Sequence, residues 1–167
     1  AGELASQYQD TYIQTHVAEN TDEVKWVKEL FPDSRSYLDV YEKRGLMRKR
    51  ALYAHCIWLD DNDRARMAAT GSVATVCPTS NLFLGSGLFD FINADKLRMP
   101  VSLATDVGGG TSFSMLQTMN ELYKVGRMSG VHLAAQRMFY MATLGGARAL
   151  QLEGTIGNFA ACLLYTS

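Results

Sequence analysis

The sequence predicts an α/β fold in which short parallel strands alternate with helices. Four short apolar runs have the length and composition of strands. They cover residues 12–15, 51–55 and 73–77 and the run that begins at Val101. Helical patterns separate the runs, and strands joined through helices form parallel pairs with right-handed crossovers. Three of the runs end in or just before a potential metal ligand. A site is therefore expected at the carboxyl ends of the strands.

Helix start and stop signals divide the rest of the chain. The predicted helices cover residues 22–30, 37–43, 61–69, 89–94, 112–128 and 133–152. Asn20 or Thr21 can cap the first of these through a side-chain oxygen. Gly45 and Gly71 follow two helical patterns and are expected to end them in the left-handed conformation. Residues 78–81 follow the third strand and are predicted to form a loop.

Four parallel strands could form an open doubly wound sheet or half of a (β/α)8 barrel. The polar residues favour the barrel, because they follow separate strands at their carboxyl ends, where barrel enzymes place their chemistry. Along the fourth strand Ser102, Ala104 and Asp106 share one face, while Val101 and Leu103 take the other. We therefore expect a partial (β/α)8 (TIM) barrel of the metal-dependent hydrolase type.

The composition excludes several classes of protein. The chain has 167 residues, 47% of them hydrophobic, so it can bury the core of one domain. Its 16 basic and 17 acidic residues create no net field that would recruit nucleic acid or an anionic membrane. No apolar run is long enough to span a bilayer. The three cysteines show no metal-binding spacing and fit thiols in a reducing cytoplasm. We expect a cytoplasmic protein with no nucleic-acid and no membrane partner.

The strongest candidate site begins at the end of the first strand. A lone histidine there is more often structural, but Glu19 follows His16 by three residues. This pair joins a metal ligand to a carboxylate that can carry a proton in metal-assisted hydrolysis. His55 and Asp106 stand at the ends of the second and fourth strands, although Asp106 could instead cap the following helix. Together these residues favour a hydrolase site over a non-catalytic α/β interaction module in which all four would be structural.

Other candidates have simpler explanations. His55 and Cys56 are neighbours in a strand and point to opposite faces, so a nucleophilic dyad is rejected. The glycine run 108–110 lacks the lysine of a P-loop and is interpreted as a loop that passes close to Asp106 or to a flat substrate. His132 has no neighbouring ligand candidate and is interpreted as structural. The methionines at helical spacing are assigned to the core: Met115, Met119, Met138 and Met141.

Five segments carry a more specific pattern. They read THVAEN (15–20), AHC (54–56), CPTSNL (77–82), ATDVGGG (104–110) and ATLGGARAL (142–150). In this order they resemble the second half of the guanine deaminase family within the amidohydrolase superfamily. His-x-x-Glu is shared with other purine and triazine hydrolases, whereas the segments after the third and fourth strands favour guanine. An alternative is an amidohydrolase for another amino-purine, a pyrimidine or a triazine.

The resemblance implies barrel strands five to eight and the hydrolysis of guanine to xanthine and ammonia by a zinc-activated water. It implies one zinc ion per active site, with His16 and Asp106 as ligands, and a homodimer when full length. Asp106 would also take the proton of the attacking water, and His55 would stabilise the developing charge. Glu19 would deliver a proton to the purine ring nitrogen beside the carbon under attack. His16, Glu19 and Asp106 would all contact guanine.

The two ends of the chain depart from that family. A His-x-His pair and a Pro-Arg-Phe segment are missing and are expected to precede Ala1. We assign residues 1–159 to the C-terminal part of an amidohydrolase barrel and 160–167 to a non-native tail, since residues 162–167 resemble a translated transposon end. Half a barrel would leave two sheet edges unpaired. We therefore expect this chain alone to be inactive and prone to aggregate.

Overall fold

A computed structural model of the chain describes residues 1–161 and 163. In that part of the chain the elements in order are α1 (Gly2–Gln7), β1 (Ile13–Val17), α2 (Thr21–Leu30), α3 (Tyr37–Glu42), β2 (Ala51–His55), α4 (Asp61–Thr70), β3 (Val73–Val76), α5 (Pro78–Leu84), α6 (Phe91–Lys96), β4 (Val101–Leu103), α7 (Met115–Met128), α8 (Ala135–Ala142) and α9 (Leu144–Ala149). The hypothesis of a non-native tail at 160–167 falls mostly outside the described residues and stays a prediction. None of the helices within residues 1–161 has the length and hydropathy needed to cross a bilayer.

The four strands form one parallel sheet in the order β1-β2-β3-β4. Thr15 pairs with Tyr53, Tyr53 with Ala74 and Ala74 with Val101, so the register runs straight across the sheet. This confirms the predicted α/β fold with a parallel sheet. A doubly wound sheet reverses its strand order at a switch point, whereas neighbouring strands of a (β/α)8 barrel follow one another in chain order, as here. All four carboxyl ends therefore lie along one edge.

Side-chain caps explain where several helices begin and end. Asn20 Oδ1 accepts the backbone N–H of Glu23 at 2.9 Å, so Asn20 and not Thr21 caps α2. Asp60 Oδ1 caps α4 in the same way through the N–H of Asp63 at 2.7 Å. Gly71 ends α4 with a φ of 71°, the left-handed conformation predicted for it.

Two predictions about the helices are wrong. Residues 78–81 form the first turn of α5 instead of a loop, because Pro78 stands at the start of the helix, where its missing N–H costs nothing. The helix predicted over 133–152 is broken at Thr143 into α8 and α9. A Cβ on Gly145 would lie 2.8 Å from the carbonyl oxygen of Tyr140, so only glycine allows the two helices to meet this closely.

The helices cover one face of the sheet and bury its side chains. Tyr53 is fully buried there, and its hydroxyl donates to the carbonyl of Leu46 at 2.9 Å. Phe91, Leu122 and Met141 belong to the same core. Met115, Met119 and Met138 pack against it, which confirms the core role predicted for all four methionines.

The other face of the sheet lines an open cavity of about 660 Å³. Gln14, Leu52, Ala54, Thr75 and Ser102 line it from all four strands. Leu103, which was expected to face the helices, also contributes to the lining. The mixture of small and polar side chains on this face is the composition predicted for a barrel interior.

Candidate active site

The residues predicted to form a site lie together at the carboxyl edge of the sheet. His16 is the penultimate residue of β1, His55 is the last residue of β2, and Asp106 follows β4. One ligand atom from each of these three side chains lies within 4.8 Å of the other two. The imidazole rings of His16 and His55 stack with their centroids 5.4 Å apart. Parallel pairing causes this convergence, because it brings the ends of separate strands to one edge.

His55 is held by strained backbone and by one hydrogen bond. Its φ of 71° and the φ of 52° at Cys56 lie in the left-handed region, which side-chain-bearing residues rarely adopt. His55 Nδ1 lies 2.8 Å from Asn81 Oδ1 in the first half of α5. A carbonyl oxygen can only accept, so His55 Nδ1 carries the hydrogen in this bond. The other nitrogen, Nε2, then faces the acidic side chains, 3.6 Å from Glu19 Oε2 and 3.8 Å from Asp106 Oδ2.

Glu19 follows a left-handed residue, Ala18, with a φ of 50°. Its backbone N–H donates to Glu23 Oε2 at 2.8 Å, and the other oxygen of Glu23 accepts the hydroxyl of Tyr37 at 2.9 Å. Its side chain accepts a hydrogen bond from Ser86 Oγ at 2.9 Å. The start of α2 therefore fixes the backbone of Glu19, while a distant loop fixes its carboxylate.

Asp106 lies against the glycine run that follows it. A Cβ on Gly109 would lie 2.8 Å from Ser80 Oγ and 3.2 Å from Asp106 Oδ2, so a larger residue would displace the carboxylate or the hydroxyl. This confirms the prediction that the loop passes close to Asp106. On the other side of the loop Thr79 Oγ1 donates to the carbonyl of Thr105 at 3.0 Å. The start of α5 thus bonds the backbone just before Asp106, and Gly109 leaves room for the carboxylate.

Cys56 and Cys77, the cysteines among the described residues, take no part as nucleophiles. The Cys56 thiol donates to the carbonyl of Tyr53 and not to His55, in agreement with the rejected dyad. Burial raises the pKa of the Cys56 thiol well above its usual range. Burial, with the nearby charge of Asp106, also raises the pKa of Cys77, to about 12. A thiolate is the reactive form of cysteine, so both thiols are unreactive near neutral pH. His132 lies outside the site and meets the ring of Tyr123 edge-on.

Sequence analysis missed three residues that complete the site. Asn81 orients His55, Ser86 contacts Glu19, and the Ser80 hydroxyl is buried beside the glycine loop without a hydrogen-bond partner. Ser80 and Asn81 belong to the family-like segment CPTSNL (77–82), and Ser86 follows that segment by four residues. The available signal was a run of small polar residues directly after a buried strand.

The donor atoms fit a metal ion. Two imidazole nitrogens and a carboxylate oxygen form a ligand set that suits zinc, and catalytic zinc sites typically use three protein ligands. His55 lies as close to this group as His16 and Asp106 do. The sequence predicted only His16 and Asp106 as ligands, with a separate role for His55, and these assignments stay predictions.

A parallel sheet with histidines and carboxylates at its carboxyl edge defines a candidate metal-dependent hydrolase of the barrel type. The chain belongs to the amidohydrolase family, whose model matches residues 1–161.

Among its relatives is guanine deaminase of Escherichia coli (strain K12). The two sequences are 49% identical over 159 residues, which is 95% of this chain and 36% of the relative. The solved structure of E. coli guanine deaminase superimposes with a TM-score of 0.92 and covers 95% of this chain and 37% of that one. The chain thus spans about a third of the length of the relatives it matches.

Two further solved structures are similar. Guanine deaminase from C. acetobutylicum, described with guanine bound in the active site, has a TM-score of 0.87 at 30% identity and covers 95% of this chain and 39% of that one. An adenosine deaminase from Xanthomonas campestris with bound zinc has a TM-score of 0.84 at 25% identity, covering 93% and 36%.

Proposed function

We propose that the protein to which this chain belongs hydrolyses guanine to xanthine and ammonia. The observation that carries this proposal is the convergence of His16, His55 and Asp106 within 4.8 Å, with Glu19 beside His55. The 49% identity to a guanine deaminase over nearly the whole chain supports guanine as the substrate. The chain would supply strands five to eight of a (β/α)8 barrel, and the activity would be that of the longer protein.

The residues divide the chemistry among them. A zinc ion held by His16 and Asp106 would supply an activated water, because zinc lowers the pKa of a bound water to about 7. Asp106 would accept a proton from that water. Its carboxylate is well placed to do so, since Asp106 lines the cavity and the missing side chain of Gly109 leaves room for the carboxylate there.

Glu19 would serve as the proton donor to the purine. Its Oε2 atom lies 3.6 Å from His55 Nε2, at the strand ends where a planar base would bind. Protonation of the ring nitrogen beside the carbon under attack makes that carbon more electrophilic. With a proton on each ring nitrogen, His55 would stabilise the charge that develops on the attacking oxygen through its Nε2–H, while Asn81 holds the ring in place through Nδ1. A second proton transfer would release the amino group as ammonia.

The proposal is tested by assaying the full-length protein for ammonia release from guanine, adenine, cytosine and ammeline. We expect guanine to be turned over with the highest kcat/KM. Glu19→Gln should lower kcat by about 10²–10⁴-fold, the contribution typical of a placed acid–base group. Glu29→Gln makes the same chemical change on the exposed side of α2 and should leave kcat unaltered.

A full-length protein that turns over another member of the panel in preference to guanine would place it elsewhere in the amidohydrolase family. Full activity of Glu19→Gln would remove the proton-donor role. Zinc stoichiometry, the homodimer and the cytoplasmic location stay predictions. The inactivity of this chain by itself also stays a prediction. Among the described residues, β1 and β4 are the outer strands of the sheet, and each pairs with one neighbouring strand.

A further inference from the structure

Within the described residues, Ser86 makes the only hydrogen bond to the carboxylate of Glu19. Its Oγ donates to Glu19 Oε1 at 2.9 Å, across 67 positions of the sequence. Ser86 is only 6% exposed, so water cannot readily replace either partner. The bond occupies one carboxylate oxygen and leaves the other, Oε2, facing His55 Nε2 at 3.6 Å.

The backbone of Ser86 is fixed on both sides. Its N–H donates to the carbonyl of Asn81 at 2.9 Å, and its own carbonyl accepts the indole N–H of Trp58 at 2.9 Å. Asn81 is the residue that also orients His55. The next residue, Gly87, has a φ of 134°, and a Cβ there would lie 3.1 Å from the ring of Trp58. The backbone that carries the Ser86 hydroxyl is therefore held in place by Trp58 and by Asn81, and Asn81 also contacts the site.

A carboxylate at position 19 has an alternative direction. Glu19 and Ser86 both line a second cavity, of about 490 Å³, whose other walls include Thr21, Trp58 and Leu84 and none of the residues that line the first. Without an anchor the Glu19 side chain could rotate into that space, and its proton-carrying oxygen would leave the reacting centre. A misplacement of about 1 Å can cost roughly 10²-fold in rate.

We propose that Ser86 is a positioning residue for Glu19, which keeps the free oxygen of that carboxylate directed at the substrate. The inference rests on the proposed function only in assigning proton transfer to Glu19. The efficiency of that proton transfer would then depend on Ser86, which lies in the loop after α5.

The test uses variants of the full-length protein and whichever substrate the panel identifies. Ser86→Ala should lower kcat by about 10–100-fold, with a smaller rise in KM, because the reacting centre is misaligned more than binding is lost. Ser86→Thr keeps the hydroxyl and should stay within about fivefold of the parent. Ser72→Ala is the matched control: Ser72 is equally buried and bonds the carbonyl of Arg48 at 3.2 Å, far from the site.

A double-mutant cycle separates positioning from a general structural role. In a Glu19→Gln background, Ser86→Ala should cost less than about twofold in kcat, because the group that it positions has already lost its function. An equal loss in both backgrounds would overturn the inference. A crystal structure of Ser86→Ala gives a readout without activity: we expect Glu19 to turn towards the second cavity, and an unmoved carboxylate would contradict the proposal. Lack of activity towards guanine would instead contradict the proposed function.

Discussion

Two clusters of charged side chains in this protein differ in how completely their charges are paired. The site cluster lies at the carboxyl edge of the sheet and consists of His16, Glu19, His55 and Asp106. The helix cluster joins α3 and its preceding loop to α4 on the outer layer and consists of Arg35, Ser36, Asp39, Asp63 and Arg66. Both clusters bring acidic groups into partly or fully buried positions, but they do so with different partners.

In the helix cluster arginines neutralise the acids. Asp63 Oδ1 accepts hydrogen bonds from Ser36 Oγ at 2.8 Å and from the guanidinium groups of Arg35 and Arg66. Asp39 also pairs with Arg66, at 3.3 Å, and the backbone N–H of Arg35 lowers the pKa of the Asp39 carboxyl. These groups have little bonding capacity left for a ligand, so the cluster stabilises the fold.

In the site cluster no such neutralisation occurs. Within residues 1–161, neither Glu19 nor Asp106 forms an ion pair with lysine or arginine, and their basic neighbour is the imidazole of His55. The left-handed φ values of Ala18, His55 and Asp106 add strained backbone at the same place. Unpaired acids and strain together cost stability, and they persist where function requires them. The difference supports the proposal that the site cluster holds a cation and a substrate, whereas the pairing in the helix cluster stabilises the fold.

The largest expected effect comes from removing a charge in the site cluster. Asp106→Asn in the full-length protein should lower kcat by about 10³-fold or more and reduce the bound zinc, because it removes both a ligand and a proton acceptor. In the zinc-free protein the melting temperature should stay the same or rise, since an unpaired acid is lost. Kinetics, metal analysis and thermal unfolding measure the three quantities. A marked loss of stability with unchanged turnover would show that Asp106 is structural and would end the distinction between the clusters.

The same substitution in the helix cluster should have the opposite outcome. Asp63→Asn leaves Arg35 and Arg66 facing each other without their shared carboxylate, and the Asp63 side chain is only 3% exposed. We expect the free energy of unfolding to fall by about 1–3 kcal/mol and kcat to stay unchanged. Urea denaturation of the full-length protein measures the first quantity.

Asp61→Asn on the same helix provides the control for that measurement. Asp61 pairs with Arg64 at 3.0 Å, but its side chain is 57% exposed. A solvent-exposed pair contributes less than about 1 kcal/mol, so its loss should barely change the denaturation midpoint. Equal effects of the two substitutions would mean that the helix cluster stabilises no more than an ordinary surface pair.

The last effect is confined to alkaline pH and concerns the buried thiol of Cys77, beside the site cluster. The pKa of Cys77 is raised from 9.0 to about 12, so the folded state favours the neutral thiol. This contribution to stability is complete below the unfolded pKa and is lost as the pH rises towards the folded value. We expect up to about 1.4 kcal/mol of destabilisation per pH unit in that window. Urea midpoints at pH 8 and 10.5, compared between the parent protein and Cys77→Ser, isolate this contribution.

Alkylation tests the reactivity of the two buried thiols directly. Iodoacetamide at pH 8 should leave Cys56 and Cys77 unmodified in the folded protein and alkylate both in urea, as located by peptide mass spectrometry. Rapid alkylation of Cys77 in the folded state would show an accessible, activated thiol at the site.

Much of the site could be predicted from local patterns. The strand that ends at His55 has the bounds that its apolar run predicted, and Asn20 and Gly71 act as the cap and the stop that their residue types favour. Once the strands are known to be parallel, their carboxyl ends must lie along one edge, so His16, His55 and Asp106 could be placed at that edge without coordinates. The roles of these residues were predicted from the resemblance and still await the measurements above.

The α/β class, the parallel sheet and the edge where the polar residues lie could therefore all be predicted from the residues alone. They follow from short-range periodicity and from the geometry of crossover connections. Only the tertiary structure decided which groups hold the site in place. Asn81 meets His55 across 26 positions, and Ser86 meets Glu19 across 67. Such contacts depend on how α5 packs against the sheet and on the left-handed backbone at the strand ends, and neither has a signature in the neighbouring residues.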